Sequence, residues 1–115
     1  MATLIATCRQ AGPVAIVDLS GRISLGEGSA LLRKTVRDLL EAGQTRILLN
    51  LGDVNYIDSS GIGMLVACAG HMEQSNGRMR VVGASGTVLK AFSIVHMERI
   101  TPLNDSIEEA AAAFE

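Results

Sequence analysis

The chain has 115 residues, 48% of them hydrophobic and 19% charged, and a formal net charge of −2. A chain of that length suits one domain over residues 1–115 that buries roughly two thirds of its unfolded surface. Its scattered basic residues, with Tyr56, Phe92 and Phe114 as the only aromatics, argue against a nucleic-acid surface, and its apolar runs break well before the ~20 residues of a membrane span.

The opening Met1-Ala2-Thr3-Leu4-Ile5-Ala6 lacks the basic start, long apolar stretch and small-residue cleavage site of a secretory signal, so a cytoplasmic location is expected. Residues Thr3 to Gln10 and Val14 to Gly21 read as extended segments joined at Ala11-Gly12-Pro13, a turn signal that predicts an antiparallel pair. From Ser29 to Ala42 the residues Leu32, Val36, Leu39 and Leu40 recur at helical spacing, with Ser29 placed to cap the start and Gly43 to end it. Arg33, Lys34 and Arg37 group on this helix and read as a solvated face.

Arg46 to Leu51 is short and apolar without alternation, the pattern of a strand covered on both faces, and Gly52 to Asp58 reads as a loop. A second helix is predicted over Ser60 to Gln74, with Ile62, Leu65, Val66, Ala69 and Met72 inward. Met79 to Gly83 reads as a buried strand and Thr87 to Val95 as a short helix with Val88, Ala91, Phe92 and Val95 inward. Arg99 to Leu103 reads as an edge strand, and Ser106 to Phe114 as a closing helix with acidic residues near its positive end. An antiparallel opening followed by alternating helices and strands predicts an α/β fold: a mixed sheet with parallel central strands and about four helices. Cys8 and Cys68 form no Cys-x-x-Cys pair and read as reduced core residues.

The segment Asp58-Ser59-Ser60-Gly61-Ile62-Gly63, at the junction of the central strand's loop and the second helix, is the least ordinary in the chain. Each glycine in a helix interior costs about 1 kcal/mol relative to Ala, so both need a reason. Either they leave backbone bare for an approaching partner, or they relieve crowding against the sheet while Asp58 or Ser59 caps the helix.

This segment resembles the signature of STAS domains of the anti-sigma factor antagonist type, an Asp-Ser-Ser/Thr-Gly-x-Gly stretch that follows a strand reading much like Ile47-Leu48-Leu49-Asn50-Leu51. The resemblance extends along the whole chain and implies a switch protein. The unphosphorylated form would bind an anti-sigma factor, a serine kinase of the histidine-kinase-like ATPase class, and so free a sigma factor. Phosphorylation would release the kinase, and a serine phosphatase would reset the switch. By position, Ser59 is the implied phosphoacceptor, and Asp58, Ser60, Gly61, Ile62, Gly63 and Ser24 are the implied partner contacts. The family's usual Gly-Glu-Leu/Ile-Asp appears here as Gly21-Arg22-Ile23-Ser24, with Arg22 and Ser24 at the acidic positions. No cofactor or metal is implied. The alternative is an unmodified STAS scaffold subunit of a signalling or lipid-transport complex.

Intrinsic catalysis has little support in the residues. A Gly-x-Ser-x-Gly elbow is missing because Ile57 stands at the first Gly position. On a helix, with a rise of about 1.5 Å per residue, His71 would lie roughly 18 Å from Ser59, too far to act as its base. The two histidines and two cysteines have no metal-ligand spacing, and no Gly-x-x-x-x-Gly-Lys-Ser/Thr phosphate loop is present.

Overall fold

The computed structural model describes residues 4–114. They run β1 (Leu4–Ala11), β2 (Val14–Ile23), α1 (Glu27–Glu41), β3 (Arg46–Ile57), α2 (Ser59–Gln74), β4 (Arg78–Val82), α3 (Gly86–Ile94), β5 (Leu103–Asn104) and α4 (Ile107–Ala113). The strands lie in chain order in one sheet, β1 antiparallel to β2 and each later neighbouring pair parallel. This is the mixed α/β architecture that the alternation of elements predicts. The expected first residue of β1, Thr3, lies outside the described residues.

The unalternating apolar run of β3 is explained by cover on both faces. Ile47, Leu49 and Leu51 join Val17 and Leu19 of β2 under Leu32 and Val36 of α1, Leu65 and Met72 of α2, and Phe92 of α3. On the opposite face Leu48 packs with Val14, Ile16 and Val82 beneath Ala110 of α4. Buried on two sides, such strands need no polar residue in alternation. Beyond α4 this second face turns polar: Arg9 Nε donates to Asp18 Oδ2 at 2.7 Å and Asn50 Nδ2 donates to Asp18 Oδ1 at 2.8 Å. Arg9 foremost, with Asn50, holds the Asp18 carboxyl below its ordinary value against partial desolvation.

Several expectations are corrected. Gly52 to Asp58 is not a loop, because β3 continues to Ile57. Two register shifts against β2 each place one extra residue in β3, so its buried positions, Leu51, Val54 and Ile57, recur every third residue. That spacing hides a strand from a period-two reading. Ser29 is not the cap of α1: the helix starts at Glu27, and the buried Ser29 donates its hydroxyl to the Ser24 carbonyl at 2.9 Å. Helix α2 starts at Ser59, one residue early, and turns Gly61, Leu65, Cys68 and Met72 inward, with Ile62, Val66 and Ala69 half-buried on its flank. The predicted strand from Arg99 shrinks to Leu103–Asn104, because Met97–Arg99 winds into a 3-10 turn. At the end of α3, Val95 is exposed. Cys8 is not a core residue: it sits on the edge strand and is exposed, whereas Cys68 is buried.

Burial pushes the Cys68 thiol up to about 11, while the Cys8 thiol is raised by burial and then by the Asp18 charge. A chromogenic disulfide reagent is therefore expected to react with one thiol per native chain and with the second only on unfolding. Cys8→Ser should remove the fast phase. Phe92 is fully buried between α3 and the sheet, so Phe92→Ala should lower the unfolding free energy by about 3–5 kcal/mol in a urea titration.

Candidate functional site

Between the last residue of β3 and the first of α2 stands Asp58 alone. Its extended backbone and short carboxylate make it the N-cap: Gly61 N–H donates to Oδ1 at 2.8 Å. The second oxygen reaches outside the helix, accepting the Leu25 N–H at 3.1 Å. The Asp58 N–H donates to the Ile23 carbonyl at 3.3 Å. One residue thus joins the end of β2, the loop before α1 and the start of α2. The Gly61 and Leu25 donors, in that order, hold the Asp58 carboxyl below its usual range.

The two signature glycines have different reasons. A Cβ on Gly61 would collide with the Ile23 carbonyl oxygen and stand 2.8 Å from Ile57 Cγ1 and 2.9 Å from Ile23 Cγ2. Gly61 is bare so that α2 can seat against β2. A Cβ on Gly63 would meet nothing within 4 Å, and that residue is exposed. Crowding accounts for the first glycine and not for the second.

Ser59, the first residue of α2, is exposed, and Ser60 beside it is half-buried. About 100° of helix separates their side chains. Ile62 packs its half-buried side chain against the core. Ser24 is half-buried and its carbonyl accepts the Ser29 N–H at 3.0 Å as well as the Ser29 hydroxyl. The structure therefore gathers Asp58, Ser59, Ser60 and Gly63 at one helix mouth and draws the loop after Ser24 to it through Leu25, while Gly61 and Ile62 serve mainly the interior.

Three further residues belong to this surface, of which only Arg22 drew notice in the sequence, as a departure from the family pattern. Leu25 is 79% exposed beside the cap. Arg22 pairs with Tyr56 across β2 and β3 and holds its guanidinium 4.1 Å from the ring centroid. Only the parallel register brings those two together, which no local pattern announces. His71 lines a different concavity, with Arg33 and Arg37, and His96 lies 3.5 Å from Glu98. Among the described residues no three His, Cys, Asp or Glu side chains converge as metal ligands, and no helix is long and apolar enough to cross a membrane.

The family model for the STAS domain matches residues 6–110. The chain belongs to the STAS domain family. Among its relatives, a candidate anti-sigma factor antagonist of Thermotoga maritima is 33% identical over 85 residues, covering 73% of this STAS domain and 75% of that protein. An anti-sigma factor antagonist from Mycobacterium paratuberculosis superposes with a TM-score of 0.86 at 17% identity, over 97% of this chain and 94% of that one. The Bacillus anti-sigma factor antagonist SpoIIAA, solved in unphosphorylated and phosphorylated forms, superposes at 0.71 with 21% identity, over 95% of this chain and 96% or 97% of that one. At those identities the last two likenesses establish the fold alone.

Gly61→Ala should destabilise this STAS domain by about 1–3 kcal/mol, since backbone rather than a flexible side chain must yield. Gly63→Ala should stabilise it by about 1 kcal/mol, and chemical denaturation of the pair reads the contrast directly. Because the folded Asp58 carboxyl is lowered, its cap is at full strength above the unfolded value of about 3.9 and is lost as pH falls through the folded one. The gap in melting temperature between wild type and Asp58→Ala should be open at pH 7 and close progressively below pH ~4.

Proposed function

We propose that this chain is an anti-sigma factor antagonist whose unphosphorylated form binds an anti-sigma factor serine kinase and frees a sigma factor, and that phosphorylation of Ser59 ends that binding. The observation that carries the reading is the placement of Ser59: an exposed hydroxyl on the first residue of α2, next to a cap already fixed by two backbone donors. The names of the STAS relatives point the same way.

The physics of the site suits a switch that leaves the fold intact. Phosphate added to Ser59 gains from the N–H groups and dipole at the start of α2, and no buried side chain has to move to admit it. The cost falls on an interface. Nearly two negative charges beside the Asp58 carboxylate, on a surface left bare by Gly63, would have to lose water when a partner docks. Exposed Leu25 and the Arg22–Tyr56 stack supply apolar and aromatic area on the same side of the molecule, the residue types that anchor interfaces. Arg22 and Ser24 in place of acidic residues give this interface a different charge pattern from the one the family usually presents, so selection among related kinases is the expected consequence.

Incubation with the cognate kinase and ATP, followed by peptide mapping, should place phosphate on Ser59 and not on Ser60, whose half-buried side chain points elsewhere. Ser59→Ala should bind the kinase constitutively. Ser59→Asp should weaken binding at least tenfold, about 1.4 kcal/mol, with an unchanged circular dichroism spectrum. Phosphate on Ser60, or on no residue, would replace this reading with that of an unmodified scaffold subunit.

A further inference from the structure

The basic group on α1 is exposed as expected, but its members differ in what they border. Lys34 is engaged with Asp38, to which its Nζ donates at 2.7 Å. Arg33 and Arg37, one turn apart, instead border a cavity of about 360 Å³ between α1 and α2, with Val36 on their own helix and Met64, Cys68 and His71 on the facing one. Val36 and Cys68 are buried and Met64 half-buried, so the concavity has an apolar floor beneath a cationic rim. Arg37 keeps a long 3.8 Å contact with Asp38, and Arg33 has no ion-pair partner among the described residues. The volume lies within the roughly 300–1,000 Å³ of small-molecule sites.

Charge sets the orientation of an occupant. The chain as a whole is acidic, with a net charge of −2, so the two guanidiniums are a local reversal of sign. Past Arg37 and His71 the groove continues to Glu41, which would repel an anionic head from that end. Arg33 lines the same hollow as Cys68, and its charge opposes the upward push of burial on that thiol. Guanidinium groups match carboxylate and phosphate oxygens through paired donors.

We propose that the groove between α1 and α2 binds a small amphiphilic anion, a carboxylate or phosphate monoester on a short apolar chain, with its head at Arg33 and Arg37 and its chain on Val36, Met64 and Cys68. The site is separate from Ser59 and stands whether or not Ser59 is phosphorylated. Its occupant would bridge the two helices whose starts are tied together by Asp58 and Leu25.

The test is a titration of the full chain, followed by backbone amide chemical shifts, with hexyl phosphate and with hexanoate. Inorganic phosphate and hexanol serve as controls. Saturable shifts confined to the facing turns of α1 and α2 are expected with at least one of the two amphiphiles, and the stronger binder identifies phosphate or carboxylate as the preferred head. Arg33→Gln combined with Arg37→Gln should weaken that binding at least tenfold. Ala67→Phe, at an exposed position on the α2 wall, should fill the groove and abolish binding with both arginines in place. Ser59→Ala should bind as wild type does. The proposal is overturned if neither amphiphile gives saturable shifts, or if the shifts centre on residues outside the groove. It is equally overturned if hexanol or inorganic phosphate alone binds as tightly, or if folded arginine and Ala67 variants retain full affinity.

Discussion

The site exists because α2 approaches β2 closely enough for a helical residue to rest against a strand carbonyl. Gly61 meets the Ile23 carbonyl where any Cβ would collide, and the same carbonyl accepts the Asp58 N–H. That approach fixes where α2 begins and how far it stands from the sheet, and it lets a single carboxylate serve both Gly61 and Leu25. Remove the close approach and the cap, the loop before α1 and the exposure of Ser59 lose their common support.

The extended β3 is the second half of the same arrangement. Its two extra residues relative to β2 keep Val54 and Ile57 turned into the core while the strand runs on past the end of β4. The strand therefore delivers Asp58 directly after the paired residue Ile57, with no intervening loop. The bulged region satisfies its own backbone locally, since Gly52 N–H donates to the Asn50 side-chain oxygen at 3.0 Å. Under the proposed switch, a hydroxyl held at such a terminus would present one geometry to the kinase, which is what discrimination between neighbouring serines requires.

Around this strand end, charge is arranged unevenly. Asp58 is consumed by backbone donors, and Arg22 is stacked on Tyr56. At mid-length along α1 and α2 the sign reverses at Arg33 and Arg37, which border an apolar hollow. The two regions share helices but no side chains, so changes in one need not perturb the other except through the packing of α1 on α2. The proposed switch and the proposed anion site are accordingly separable by mutation.

Local pattern in the sequence determined much of this molecule. Helical spacing located α1, α2, α3 and α4, the unalternating run Ile47 to Leu51 marked a strand covered on both faces, and the Asp58 to Gly63 segment carried the family and marked the candidate site. What local pattern could not determine depended on contacts between distant residues. The inward face of α2 is set by Gly61 packing on Ile23, so the helix centres Gly61, Leu65, Cys68 and Met72 on the core and leaves Ile62 half-buried on its flank. The reach of β3 was hidden because bulges replace its period of two by three, and those bulges exist only in pairing with β2. Ser29 looked like a cap because hydroxyls favour helix starts, yet it spends its hydroxyl on Ser24 once the loop folds back. Cys8 looked buried because unpaired cysteines usually sit in cores, but its exposure follows from its place on an edge strand, which only the sheet order decides. The separate reasons for Gly61 and Gly63, equal in the sequence, appeared only when β2 was laid beside one of them and open space beside the other.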